Sequence, residues 1–145
     1  MRRLAVLAAL TSLVAFADDG GLAGFVRVKA GGEVFKTGVA RFPPTVPVAV
    51  LDGDPSSAGP FTVRLKLAKG LKLAPHTHST DERTTVLSGV VLVGTGTTVD
   101  AAKLVRLEAG GFYVNPKGAA HSLQVEEDAL LQVSADGPWT VTPVK

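Results

Sequence analysis

The sequence predicts an all-β domain in which short strands and tight turns roll into a sandwich or barrel. Three observations carry that expectation. The 16 Gly and 9 Pro fall in clusters between short apolar runs, the punctuation of β structure. β-branched Val and Thr dominate those runs. After residue 17 no stretch sustains the 3.6-residue apolar period of an amphipathic helix.

Taken in order, residues 18–24 (DDGGLAG) start loosely, and Phe25 to Lys29 alternates as an edge strand would. Val34 to Val39 reads as another strand, and the three prolines of RFPPTVPV mark extended or edge chain. LDGDPSSAGP is a turn-rich loop. Phe61, Val63, Leu65 and Leu67 alternate with Thr62, Arg64 and Lys66, the clearest strand in the chain. Thr84 to Val93 reads as strand, turn at Ser88-Gly89, strand. Leu104–Leu107 and Phe112–Val114 are short strands around Ala109-Gly110-Gly111. His121, Leu123 and Val125 alternate, Glu126-Glu127-Asp128 reads as a solvated turn, and Ala129–Val133 and Trp139–Val144 complete a set of roughly ten strands. Closure into a barrel would protect the edges.

The first 17 residues stand apart. Arg2 and Arg3 precede an uncharged, mostly apolar run from Leu4 to Phe16, and Ala15-Phe16-Ala17 is an A-x-A cleavage signature. The run is shorter than the roughly 18 apolar residues a membrane span needs, so a secretory signal peptide is expected at 1–17 and a periplasmic or secreted location follows. The expected division is then 1–17 signal peptide, 18–60 N-terminal edge strands and turn-rich loop, and 61–145 barrel. Removing Arg2 and Arg3 takes Lys+Arg from 15 to 13, against 13 Asp+Glu, so the mature chain is neutral. The basic balance belongs to the leader and implies neither nucleic acid nor a membrane surface as partner. With no Cys, no disulfide supports the exported chain; its core, oligomerisation or a bound metal must do so.

All three histidines lie in two Gly/Pro-framed stretches, GLKLAPHTHSTDERTTVLSG (70–89) and GGFYVNPKGAAH (110–121). On a strand, residues i and i+2 face the same way, so His76 and His78 can share one ion and Glu82 keeps their parity. His121 must come from a neighbouring strand. Alone, an HxH pair is often a surface feature, Glu82 a solvated acid and His121 a packed histidine. Their co-occurrence points to one metal site, and imidazole with carboxylate suits Zn, Fe, Mn, Ni or Cu.

These stretches resemble the cupin family. Its first motif, G-x5-H-x-H-x3-E-x6-G, is matched at every spacing by Gly70, His76, His78, Glu82 and Gly89. Its second, G-x5-P-x-G-x2-H-x3-N, is matched by Gly110, Pro116, Gly118 and His121, with Val125 where Asn is expected. The wording is similar to small exported bacterial single-domain cupins. The resemblance implies a double-stranded β-helix, or jelly-roll barrel, in a single domain. It also implies a divalent transition metal on His76, His78, Glu82 and His121 with room for water or substrate, and a homodimer formed by strand exchange or sheet packing.

Three neutral imidazoles and one carboxylate around a divalent ion leave a net charge of about +1, which attracts a small anion. By parity Thr84, Val86, Leu123 and Val125, with Phe112 and Val114, would form a mostly apolar wall. No histidine remains as a general base. Asp81, Glu108 or Tyr113 could serve only if the fold brings them to the pocket, and no catalytic residue is assigned from sequence. The first expectation is therefore a metal-dependent oxidoreductase, an oxidase or dioxygenase acting on a small anionic molecule. The alternatives are a non-enzymatic ligand- or metal-binding module with a structural Zn and, more weakly, a metal-assisted isomerase or lyase.

Overall fold

In a computed structural model, residues 24–145 are described. Eight strands run in chain order: β1 Val48–Asp52, β2 Gly59–Leu67, β3 Lys72–His78, β4 Glu82–Thr95, β5 Val105–Glu108, β6 Phe112–Asn115, β7 His121–Gly137 and β8 Val141–Pro143. A 3-10 turn at Ala101–Lys103 precedes β5. Among the described residues no helix is long and apolar enough to cross a membrane.

β4 and β7 organise the rest. They pair antiparallel over almost their whole length, from Arg83 against Ser134 to Thr95 against His121. The first half of β4 also pairs with β6, and the second half of β7 with β2, which pairs onward with β1. The second half of β4 pairs with β5, and the first half of β7 with β3, which pairs onward with β8. Two layers result, β1-β2-β7-β4-β6 and β8-β3-β7-β4-β5, sharing two strands that bend from one layer into the other. This is the jelly roll, and it forms a single domain.

The expected turn at Ser88-Gly89 is one of those bends. The β4 ladder continues through it with register shifts between Val86 and Val91. Gly89 has φ +77, and a Cβ there would stand 2.1 Å from the Asp128 carbonyl oxygen, so no larger residue fits without moving β7. Glu126, Glu127 and Asp128 are exposed as expected but lie inside β7, at the matching bend. Turn-forming residues here mark a kink in a continuing strand, which is why fewer and longer strands form than the sequence suggests.

Between the layers Phe61, Val63, Val86, Val91, Leu131 and Val133 are fully buried, each side chain contributing about 1.5–3 kcal/mol by leaving water. The hydrogen-bonded path does not return on itself. Its edges are blunted instead by short strands: β1, β5, β6 and β8 have three to five residues each.

The N-terminal segment differs from expectation. Phe25–Lys29 forms no strand, and Phe25 and Val26 are exposed, with the Arg27 guanidinium 5.1 Å over the Phe25 ring. Val34–Val39 contributes one bridge, Lys36 to Val48. Side chains fix the segment to the outer face of β2: Arg64 pairs with Glu33, and the Lys66 ammonium sits 4.1 Å above the Phe35 ring. The expected signal peptide, residues 1–17, lies outside the described residues.

Candidate metal centre

The end of β3 and the start of β7 lie side by side with His76 directly opposite His121. Alternation along β3 puts His78 on the face of His76, and all three imidazoles are buried. Their ring centroids are 4.4 to 4.9 Å apart. Glu82 opens β4, and its Oε2 is 3.1 Å from His78 Nε2 and 3.5 Å from His121 Nε2. The four residues expected from the sequence are thus brought together.

Each ring is held from behind by a backbone carbonyl. His76 Nδ1 is 2.7 Å from Ala74 O, His78 Nδ1 3.0 Å from Thr140 O, and His121 Nδ1 2.9 Å from Ala119 O. A carbonyl only accepts, so each Nδ1 carries the proton and donates it. In the neutral rings Nε2 is then left with a bare lone pair. Two such nitrogens, on His78 and His121, stand 3.1 Å apart, and the carboxylate stands beside both. Lone pairs and a carboxylate converging at that distance repel unless a cation lies between them. Nitrogens about 2.1 Å from one ion stand about 3.0–3.4 Å apart at right-angled to tetrahedral geometry, so the spacing fits a transition metal. His76, His78 and His121 could hold such an ion, their ligand atoms all lying within 4.8 Å of one another.

Both oxygens of Glu82 are supported. Thr84 Oγ1 donates to Oε1 and Asn115 Nδ2 to Oε2, each at 2.9 Å. Burial alone would raise the Glu82 pKa; in the metal-free protein, protonation of His121 and His78 puts donors and positive charge beside the carboxylate, and with the Asn115 amide these outweigh burial and hold the carboxyl well below its usual range, the place a metal cation would otherwise take. Burial pushes His76 down, favouring the neutral ring a metal requires.

The surrounding wall departs from the parity reading. Thr84, Val86, Leu123 and Val125 are buried as expected, but Phe112 and Val114 are 57% and 42% exposed. Register decides this. Asn115 stands opposite Glu82 and Tyr113 opposite Thr84, and directly opposed residues share a face, so the odd-numbered residues of β6 turn inward. Tyr113 and Asn115 line a cavity of about 40 Å³ together with His76, Glu82 and His121. Of the three base candidates only Tyr113 reaches it. Asp81 is half-exposed with Arg83 and accepts from the Lys117 amide, and Glu108 is exposed beside Arg106. Burial, then the Glu82 charge, push the Tyr113 phenol pKa up, so it stays protonated.

Two supporting residues escape sequence reasoning. Asn115 is the amide that serves Glu82, and its one sequence cue is its place beside Pro116. Trp139, buried, stacks on His78 with ring centroids 4.0 Å apart and planes 21° from parallel. Val125, standing where an Asn is expected, is a core residue whose backbone pairs with Gly70 and Leu71.

A family model described as the ChrR cupin-like domain matches residues 33–140. The chain is a cupin of that family. Solved structures agree on the fold. This cupin matches KdgF from a Halomonas species with TM-score 0.57 at 18% identity, covering 81% of this chain and 94% of that one. It matches an RmlC-like cupin from Shewanella frigidimarina with TM-score 0.57 at 14% identity, covering 74% and 86%. It also matches salicylate 1,2-dioxygenase from Pseudoaminobacter salicylatoxidans, solved with gentisate, with TM-score 0.53 at 19% identity, covering 65% of this cupin but only 25% of the enzyme. A search of curated protein sequences finds no significant match.

Proposed function

We propose that this cupin is an exported metal-dependent oxidoreductase, oxidase- or dioxygenase-like, acting on a small anionic molecule. His76, His78, His121 and Glu82 would hold a divalent ion; Fe, Mn, Zn, Ni and Cu all suit the donor set. The observation that carries the reading is the convergence of Nε2 lone pairs and the Glu82 carboxylate beside a largely aliphatic cavity. Bound there, the ion would supply positive charge and, as Fe or Mn, redox chemistry. The chain's own residues would fix the imidazoles through Ala74, Ala119 and Thr140, orient Glu82 through Thr84 and Asn115, and keep bulk water out with the aliphatic wall. That a solved relative of the fold is a dioxygenase bound to gentisate, an aromatic carboxylate, supports the class.

The test is metal analysis of protein purified from its own host, followed by oxygen uptake with a panel of small carboxylates, β-diketones and phenolic compounds. Fe or Mn with an exchangeable water and substrate-dependent uptake is expected. Closed four-coordinate Zn without an exchangeable position would overturn the enzyme reading and favour a binding or sensing module, a second reading that the small volume of the cavity supports. Export belongs to the same proposal: the mature chain should begin at Asp18, and N-terminal sequencing that finds Arg2 would refute it. A homodimer is part of the proposal as well, and sedimentation at micromolar concentration reads it.

A further inference from the structure

Glu82 presents its two oxygens to different partners. Oε2 stands 3.1 Å from His78 Nε2 and 3.5 Å from His121 Nε2, and it accepts from Asn115 Nδ2. Oε1 accepts from the Thr84 hydroxyl at 2.9 Å. Thr84 is fully buried, and its hydroxyl has a second partner, the phenol of Tyr113 directly opposite on β6. A hydroxyl has one proton to give. Thr84 gives it to Glu82, so toward Tyr113 it can only accept, and the phenol is the donor. The chain of bonds therefore runs one way, from Tyr113 O–H to Thr84 O–H to Glu82 Oε1. Its last bond is charge-assisted, and each bond in such a chain polarises the next. A carboxylate can meet a cation through one oxygen or through two. Using both would turn Oε1 away from Thr84 and leave a fully buried hydroxyl proton without its acceptor.

We infer that Tyr113 and Thr84 are positioning residues that hold Oε1 away from the histidine cluster, so that Glu82 offers a metal Oε2 alone. The inference rests on the metal-centre reading above and adds to it the ligating oxygen and the part played by β6. Asn115 of that strand serves Oε2 directly, and Tyr113 serves Oε1 through Thr84. What the pair protects is a position on the ion for water or substrate, which a carboxylate chelating through both oxygens would fill.

The experiment is water-proton relaxation by the manganese-loaded full chain, which counts the exchangeable waters on the ion. On an octahedral ion four protein donors leave two positions, and a chelating Glu82 leaves one. Thr84→Val keeps the shape of the side chain and removes the hydroxyl. Its relaxation enhancement should fall to about half the wild-type value, with manganese affinity kept or increased. Thr84→Ser should restore the wild-type value. Tyr113→Phe should fall between wild type and Thr84→Val, because Thr84 keeps its own bond to Oε1. Equal relaxation in Thr84→Val and wild type, or loss of manganese from Thr84→Val, would overturn the inference. Wild-type relaxation in Tyr113→Phe would overturn it too, and that variant decides the matter if Thr84→Val fails to fold. Wild-type protein that takes up neither manganese nor zinc would overturn the metal-centre reading and this inference with it. Wild-type protein that binds manganese, with relaxation unaltered in the variants, overturns the inference alone.

Discussion

The two sides of the histidine cluster are built by different means. On one side His78 is walled in. The Trp139 indole lies flat against it, Trp139 meets Phe61 edge-on with centroids 5.7 Å apart, and Thr140 O accepts a hydrogen bond from Nδ1–H. The segment is pinned by the Ser79 hydroxyl, which donates to Pro138 O and accepts from the Thr140 amide. On the other side His76, His121 and Glu82 face the cavity with Tyr113 and Asn115. The closed side is made by aromatic packing between residues some 60 positions apart in sequence. The open side follows from strand register, with His76 opposite His121 and Glu82 opposite Asn115. An exchangeable position on the ion would therefore lie toward the cavity, and the wall fixes the angle from which His78 contributes.

The largest effect is expected from removing a ligand on the open side. His76→Ala and His121→Ala should each abolish stoichiometric metal and lower the melting temperature of protein held in excess metal. A ligand present at about 100 times its dissociation constant stabilises the native state by about 2.7 kcal/mol, and that increment would be lost. Metal analysis and thermal unfolding read both. Unchanged metal content in either variant would remove the proposed centre.

A smaller effect is expected from breaking the wall. Trp139→Leu removes the ring that stacks on His78, and groups that orient a ligand typically account for about 10–100-fold in metal affinity. About tenfold weaker binding is expected by competition with a chelator, together with lower stability. Trp139→Phe keeps an aromatic ring on His78 and removes the indole Nε1–H, which is buried without a hydrogen-bond partner at a cost of about 1–3 kcal/mol. Its metal affinity should stay near wild type. Equal affinity in the Leu variant and wild type would reduce Trp139 to packing alone, and the contrast between the two sides would lose its meaning.

The same contrast decides what was legible in the sequence. His76, His78 and Glu82 lie close together with fixed parity, and His121 follows from motif spacing, so the four residues that converge could be named in advance; the all-β class was legible in the punctuation of the chain, and the jelly roll followed from the family resemblance. β2 could be read because its alternation is local and uninterrupted. Trp139 could not be read, because nothing in PWTVTP says that its indole meets a histidine 61 positions away. Phe112 and Val114 were assigned to the wrong face because one residue of register inverts a strand, and that register is set by β4 rather than by β6 itself. Gly89 and Asp128 announced a turn but serve a bend, since glycine satisfies a close backbone approach as readily as a reversal.

The finest discrimination is in pH, and it belongs to the open side. Burial depresses the His76 pKa below 6.5, so as pH falls below that value the unfolded chain takes up a proton that the folded chain does not. Stability from this group is complete above about pH 6.5 and declines below it. Glu82 follows the ordinary carboxylate rule: its folded pKa lies under the unfolded value of 4.5, so its contribution is complete above pH 4.5 and is lost as pH falls toward the folded value. Each group contributes a slope of at most about 1.4 kcal/mol per pH unit within its window. Metal-free protein should therefore show a denaturation midpoint that declines below pH 6.5 and declines further below pH 4.5. Glu82→Gln should flatten the lower limb and leave the upper, while His76→Gln should do the reverse. A metal-free profile that stays level from pH 7 to pH 4, or a single variant that removes both limbs, would show that the two groups do not act as separate parts of the open side.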